Sequence, residues 1–137
     1  MGATLPDDPE GWADRFQTRL NDRDSFERAA ADFTATFRLL VTPDDTYDGD
    51  PVVVTVVVDD GAAVAAAGND AAADYDFTLS GPYTAWRELL RGEVDAAAAL
   101  TGEAFDVEGS TMRLLENREA VAELVDAAQA VDTEFAY

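Results

Sequence analysis

Between Asp7 and Ala31 hydrophobic positions recur about every four residues: Trp12, Phe16 and Leu20, then Phe26 and Ala30 after the polar break Asn21–Asp24. That spacing places them on one helical face, and the break predicts two short helices or one kinked one. From Phe33 to Val41 the period changes to two. Phe33, Ala35, Phe37, Leu39 and Val41 alternate with Thr34, Thr36, Arg38 and Leu40, the pattern of a half-buried strand. The turn-rich stretch TPDDTYDGD (42–50) leads directly into PVVVTVVV, whose β-branched density suits a strand covered on both faces. Asp59, Asp60 and Gly61 predict a tight turn before Ala62–Ala67, and Gly68–Asn69 a break before a strand over Asp74–Ser80. Four strands in succession with short turns read as an antiparallel meander.

After Gly81 the pattern returns to helix. Pro82 fits a first helical position, Ala85, Trp86, Leu89 and Leu90 share a face, and Gly92 suits a left-handed cap. Asp95 is expected to cap a short helix, AAAALT, closed by Gly102. Ala104–Glu108 supplies a fifth strand, Ser110 starts a turn carrying Met112, Leu114 and Leu115, and Asn117 caps a helix striped by Val121, Leu124, Val125 and Ala128. The expected architecture is α+β (α/β), with a five-stranded, mainly antiparallel sheet and helices packed on one face. One domain spans 1–137, divided into a helical segment (1–31), a strand meander (33–80), and helices with a fifth strand at 104–108 (82–131). Neither repeats nor an interdomain linker is visible.

Composition narrows the chemistry. The 137 residues contain 9 basic and 29 acidic side chains, a net charge of −20, and neither Cys nor His. All nine cations are arginines. The chain therefore has no disulfide, thiolate zinc site, imidazole base, Schiff-base lysine or Walker lysine. Carboxylate acid/base work and Mg²⁺ or Ca²⁺ held on Asp and Glu oxygens remain as chemistry. A strongly negative field repels phosphate backbones and anionic lipid headgroups, so no nucleic-acid partner is expected. An acidic, lysine-free surface suits molar salt, where the Debye length falls to about 3 Å, and points to a haloarchaeal cytoplasm. The start MGATLPDDPEGW resembles no secretory signal, and no apolar run reaches the roughly 18 residues of a membrane span. A cytoplasmic protein without stable membrane insertion, a monomer or weak homodimer, is expected.

Two acidic groups merit a test against chemistry. Asp44, Asp48 and Gly49 occupy the first, fifth and sixth places of a calcium loop, but its twelfth place is Thr55 rather than Glu, so a hairpin turn explains them better and no metal site is expected. Asp74 and Asp76 lie on one side of their strand as a candidate carboxylate pair, yet alternation with Tyr75 and Phe77 marks that side as solvent-facing. No catalytic residue and no cofactor is expected. Arg87 and Arg91, four apart on a helix, suit either an anionic headgroup or neighbouring surface acids.

Residues 74–125 resemble the second half of a sterol carrier protein type 2 domain. The resemblance rests on the order DYDFTLS, PYTAWRELLRG, VDAAAALTG, EAFDVEG and STMRLL, with glycines at 92, 102 and 109 and aspartates at 74 and 95. Glu93 and Glu103 stand where family members commonly carry lysine. The resemblance implies a five-stranded sheet, helices on one face and an apolar tunnel between them for sterols, fatty acids, acyl-CoA or other lipids. The haloarchaeal setting favours isoprenoids, quinones or acyl-CoA over sterols. The partner is then a hydrophobic small molecule or lipid, bound or shuttled without covalent chemistry. Candidate lining residues are Phe77, Trp86, Leu90, Leu100, Phe105, Met112, Leu115 and Val125, with the ligand against Trp86 and Met112 lending adaptability. The same residues also suit a filled core in a non-catalytic module that docks on another protein.

Overall fold

The computed structural model describes residues 3–5, 7–68, 75–94 and 104–135. Strand β1 (Ala3–Leu5) precedes helices α1 (Pro9–Asn21) and α2 (Asp24–Ala29), followed by strands β2 (Thr34–Thr42), β3 (Val52–Asp59), β4 (Ala62–Gly68) and β5 (Phe77–Pro82). Helix α3 (Tyr83–Leu90), strand β6 (Asp106–Glu108), helices α4 (Thr111–Glu116) and α5 (Arg118–Ala130), and strand β7 (Thr133–Phe135) complete the order. The expected α+β fold is present: a five-stranded mixed sheet, β4-β3-β2-β5-β6, carries helices, and β1 pairs with β7 in a separate parallel ribbon.

The polar break after Leu20 separates α1 from α2. Asp8 accepts from the Gly11 N–H and caps α1, whose Trp12, Phe16 and Leu20 are buried. Asp60 and Gly61 have φ of 47° and 85° in the two-residue turn joining β3 to β4, the backbone that a primed hairpin turn requires. A Cβ on Gly61 would also lie 2.7 Å from the Glu27 carbonyl oxygen, so α2 comes that close because residue 61 lacks a side chain.

The meander is corrected by the pairing. β2, β3 and β4 form successive antiparallel hairpins, but β5 does not continue beside β4; it lies parallel to β2, with Phe37 opposite Phe77 and Leu39 opposite Leu79. Turn residues mark where a strand ends, not which sheet edge receives the next one. The edge of β2 offers an aromatic partner, and the rings of Phe37 and Phe77 stack 5.2 Å apart. The fifth strand is shorter than expected and runs antiparallel to Thr78–Ser80.

Local corrections have simple causes. Pro82 closes β5 at φ −71°, ψ 157° and is the N-cap of α3 rather than its first helical residue. Asn117 stands at the N-cap of α5 but makes no cap bond, because its amide donates to the Arg113 carbonyl instead. Ser110 caps α4 as expected, and Gly92 takes φ 81° beyond α3. Asp74, Asp95, Leu100 and Gly102 lie outside the described residues.

Candidate functional site

Two apolar clusters meet at α3. The larger one joins α1, α2 and α5 to the strands through Phe16, Phe37, Phe77, Val121 and Leu124; the smaller one gathers Tyr47, Tyr83, Trp86, Leu89, Phe105 and Val125. Between them lies a cavity of about 40 Å³, bordered by Phe16 of α1, Phe37 and Leu39 of β2, Phe77 of β5, Trp86 of α3 and Leu124 of α5. Its size matters. Drug-sized ligands occupy roughly 300–1,000 Å³, so the interior is nearly filled and any long-chain guest must displace side chains.

Trp86 is the hinge of the arrangement. It borders that cavity and two smaller voids, of about 10 and 20 Å³, that continue toward Leu5, Val41 and Val52. Its indole N–H donates to the Leu40 carbonyl at 2.9 Å, and Phe105 meets its ring edge-on at 5.1 Å. Phe77 and Trp86 therefore stand at the cavity, Leu90 borders the neighbouring void, and Phe105 and Val125 are buried in the smaller cluster beside it. Met112 and Leu115 are 71 % and 61 % exposed, facing away from this interior. Leu114 takes the inward position on α4 and borders the cavity. A six-residue helix with three apolar residues in four positions leaves its phase undecided in sequence, which is why Leu114 was missed. Leu39 and Leu124 were missed as lining because strand and helix periodicity mark them only as core.

Polar chemistry sits elsewhere. Asp76 accepts from the Thr36 N–H at 2.8 Å and lies 3.7 Å from the Arg113 guanidinium, tying β2, β5 and α4 together at the surface. Asp44 accepts from the N–H and hydroxyl of Thr84 and from the N–H groups of Thr46 and Tyr47. The Thr84 N–H leads in holding the Asp44 carboxyl down to about 2, burial opposing it and the Thr84 hydroxyl and loop N–H groups assisting. Its four contacts make it a loop staple. Burial pushes the Glu123 carboxyl up, but hydrogen bonds from Ser25 and Arg23 and the charges of Arg23 and Arg28 more than offset this and hold it below the ordinary range. That ion pair, 2.8 Å long, clamps α2 to α5. Among the described residues no cluster of acidic side chains is placed to hold a metal ion.

Arg38 and Thr78 are paired positions on β2 and β5, and Thr78 also borders the cavity. The Arg38 Nε and Thr78 Oγ1 are buried without a hydrogen-bond partner, and the Arg38 guanidinium lies 5.0 Å from the Tyr75 ring centroid.

A mixed sheet roofed by helices over a hydrocarbon-lined interior defines the class of protein. The chain belongs to the SCP-2 sterol transfer family, whose pattern matches residues 13–122. Its structure is similar to a crystal structure of sterol carrier protein 2, with 27 % identity, a TM-score of 0.80, and coverage of 89 % of this chain and 96 % of that one. It is also similar to the solution structure of a conserved hypothetical protein from Thermus thermophilus, with 26 % identity, a TM-score of 0.75, and coverage of 90 % and 87 %. The fold alone recurs within an enzyme, a sec-alkylsulfatase from Pseudomonas sp., at 14 % identity and a TM-score of 0.53, covering 80 % of this chain and 15 % of that one. No curated protein sequence matches the chain. No helix among the described residues is long and apolar enough to cross a membrane.

Proposed function

We propose that this protein binds and carries a hydrophobic molecule, a lipid, acyl-CoA, isoprenoid or quinone, in the apolar interior around Trp86, and performs no covalent chemistry on it. The observation that carries this reading is the hydrocarbon lining where sheet, α1, α3 and α5 converge, in a member of a sterol transfer family. Affinity then comes from apolar burial, about 25 cal/mol for each Å² removed from water, and selectivity among chains of similar bulk is low. Phe77, Trp86 and Leu90 are proposed as contacts, with Leu39, Leu114 and Leu124. The acidic surface, at net charge −20, supports a salt-rich cytoplasm as the working environment.

A second reading is supported by the smallness of the cavity: a filled module that docks on another protein. Native mass spectrometry of the protein purified from its own host in high salt separates the two. A co-purifying lipid of one-to-one stoichiometry is expected. A protein partner without lipid, together with unchanged Trp86 emission in a Trp12→Phe variant titrated with palmitate, palmitoyl-CoA, a quinone and a prenyl alcohol, overturns the carrier reading.

A further inference from the structure

The ribbon β1–β7 borders the two smaller voids beside Trp86. Leu5 borders both smaller voids, Phe135 borders one of them, and both voids share Trp86 with the main cavity. The ribbon is three pairs wide, Ala3 to Thr133, Thr4 to Glu134 and Leu5 to Phe135. An isolated two-stranded pair is marginal in water, so its hold depends on side chains beneath it. The Trp12 indole N–H donates to the Thr133 hydroxyl at 2.9 Å and the Tyr83 hydroxyl to the Leu5 carbonyl at 3.4 Å, while Leu5 is buried in the larger cluster and Phe135 packs edge-on against Tyr83. Displacing Leu5 and Phe135 would widen the smaller voids along the Trp86 wall that they share with the main cavity.

A cation stands at this edge. The Arg91 guanidinium, on the exposed residue just after α3, lies 5.2 Å from the Phe135 ring centroid. Three ion pairs are found among the described residues, and Arg91 is in none of them. In a chain with 29 acidic side chains and 9 basic ones, an arginine resting on an aromatic ring at the rim of an apolar interior suits an anion brought by the guest.

We infer that the β1–β7 ribbon is the gate of the apolar interior and that Arg91 at its edge receives the anionic head, a carboxylate or a phosphate, of a single-chain lipid that displaces Leu5 and Phe135. This rests on the carrier reading and adds the route, the ligand class and the head-group residue. The gate opens by β7 parting from β1; Phe135 then swings away and releases the guanidinium, so opening the gate and freeing the cation are one movement. The Trp12 bond to Thr133 breaks in the same step.

The absence of cysteine makes the test clean. Thr4 and Glu134 are direct partners, and the Thr4 hydroxyl reaches the Glu134 carboxylate at 3.4 Å, so Thr4→Cys with Glu134→Cys introduces a single possible disulfide at ribbon spacing. Uptake of palmitate, hexadecyl phosphate and hexadecanol, which differ only in their heads apart from the acyl carbon, is measured on this variant oxidised and then reduced. Oxidation is expected to slow uptake of all three at least tenfold, and reduction to restore it in the same sample, with Trp12 emission changing only when the ribbon is free. In the otherwise native chain, Arg91→Gln is expected to weaken palmitate and hexadecyl phosphate about tenfold and hexadecanol less than twofold. Uptake unaffected by the lock overturns the gate. Equal weakening of all three ligands by Arg91→Gln, or none, overturns the head-group assignment. If the reduced protein takes up none of the three, the carrier reading fails and the gate with it.

Discussion

Asp44 caps a helix to which it does not belong: its Oδ2 accepts from the Thr84 N–H at 2.9 Å and from the Thr84 hydroxyl at 2.7 Å. Pro82, at the N-cap of α3, has no side-chain group to offer, so the loop between β2 and β3 supplies the missing acceptor. The helix that presents Trp86 to the interior is thus fixed from outside.

Removing that acceptor by Asp44→Ala is expected to destabilise the fold by about 1–2 kcal/mol, as for loss of a helix cap. The pH dependence follows from the lowered carboxyl. Its contribution is complete above the ordinary value of 3.8 and is lost as pH falls toward about 2. Melting temperatures of the native chain and Asp44→Asn are therefore expected to differ most near neutral pH and to converge between pH 4 and 2. A gap that stays constant across this window removes Asp44 from the acid response.

Thr78→Val should be neutral or stabilising, by about 1 kcal/mol, because it exchanges a buried hydroxyl without a partner for a methyl of similar shape. Denaturant unfolding gives the answer. A loss of more than 1 kcal/mol means that the hydroxyl has a partner in solution.

Leu124→Ala, which enlarges the cavity in the larger cluster, is expected to cost about 2–5 kcal/mol. Met112→Gln and Leu115→Gln on exposed α4 positions should stay within about 0.5 kcal/mol of the native chain. Similar costs at all three sites would show that α4 packs in another phase.

Salt should matter more than for a balanced surface. With net charge −20, lowering salt to 0.01 M lengthens screening to about 30 Å and lets carboxylates repel across the molecule. The melt in 2 M KCl is expected to lie well above that in 10 mM KCl, and coincident curves would remove the salt-adapted reading.

Much of the fold was legible because two periodicities are clean in this chain. Trp12, Phe16 and Leu20 mark α1, Phe33 to Val41 mark β2, and the Asp60–Gly61 turn marks the β3–β4 hairpin. The partner of β5 was not legible: alternation in Phe77–Ser80 assigns a face, while Phe37 as neighbour follows only from assembly. The ribbon escaped notice because three-residue strands carry too little pattern. At the site, Trp86 and Phe77 could be read from their helix and strand faces. Leu114 could not, because Met112 and Leu115 compete with it for the inner side of one short helix.

The parallel seam between β2 and β5 also orders the assembly of the chain. The β2–β3 and β3–β4 hairpins close over short loops and need no distant partner. Thr36 and Asp76, which bond at one end of the seam, are 40 residues apart, so that contact requires a much longer loop to close. The hairpins are therefore expected to form first and the Phe37–Phe77 stack afterward, with the inner chamber, which needs β5 as a wall, among the last features to form.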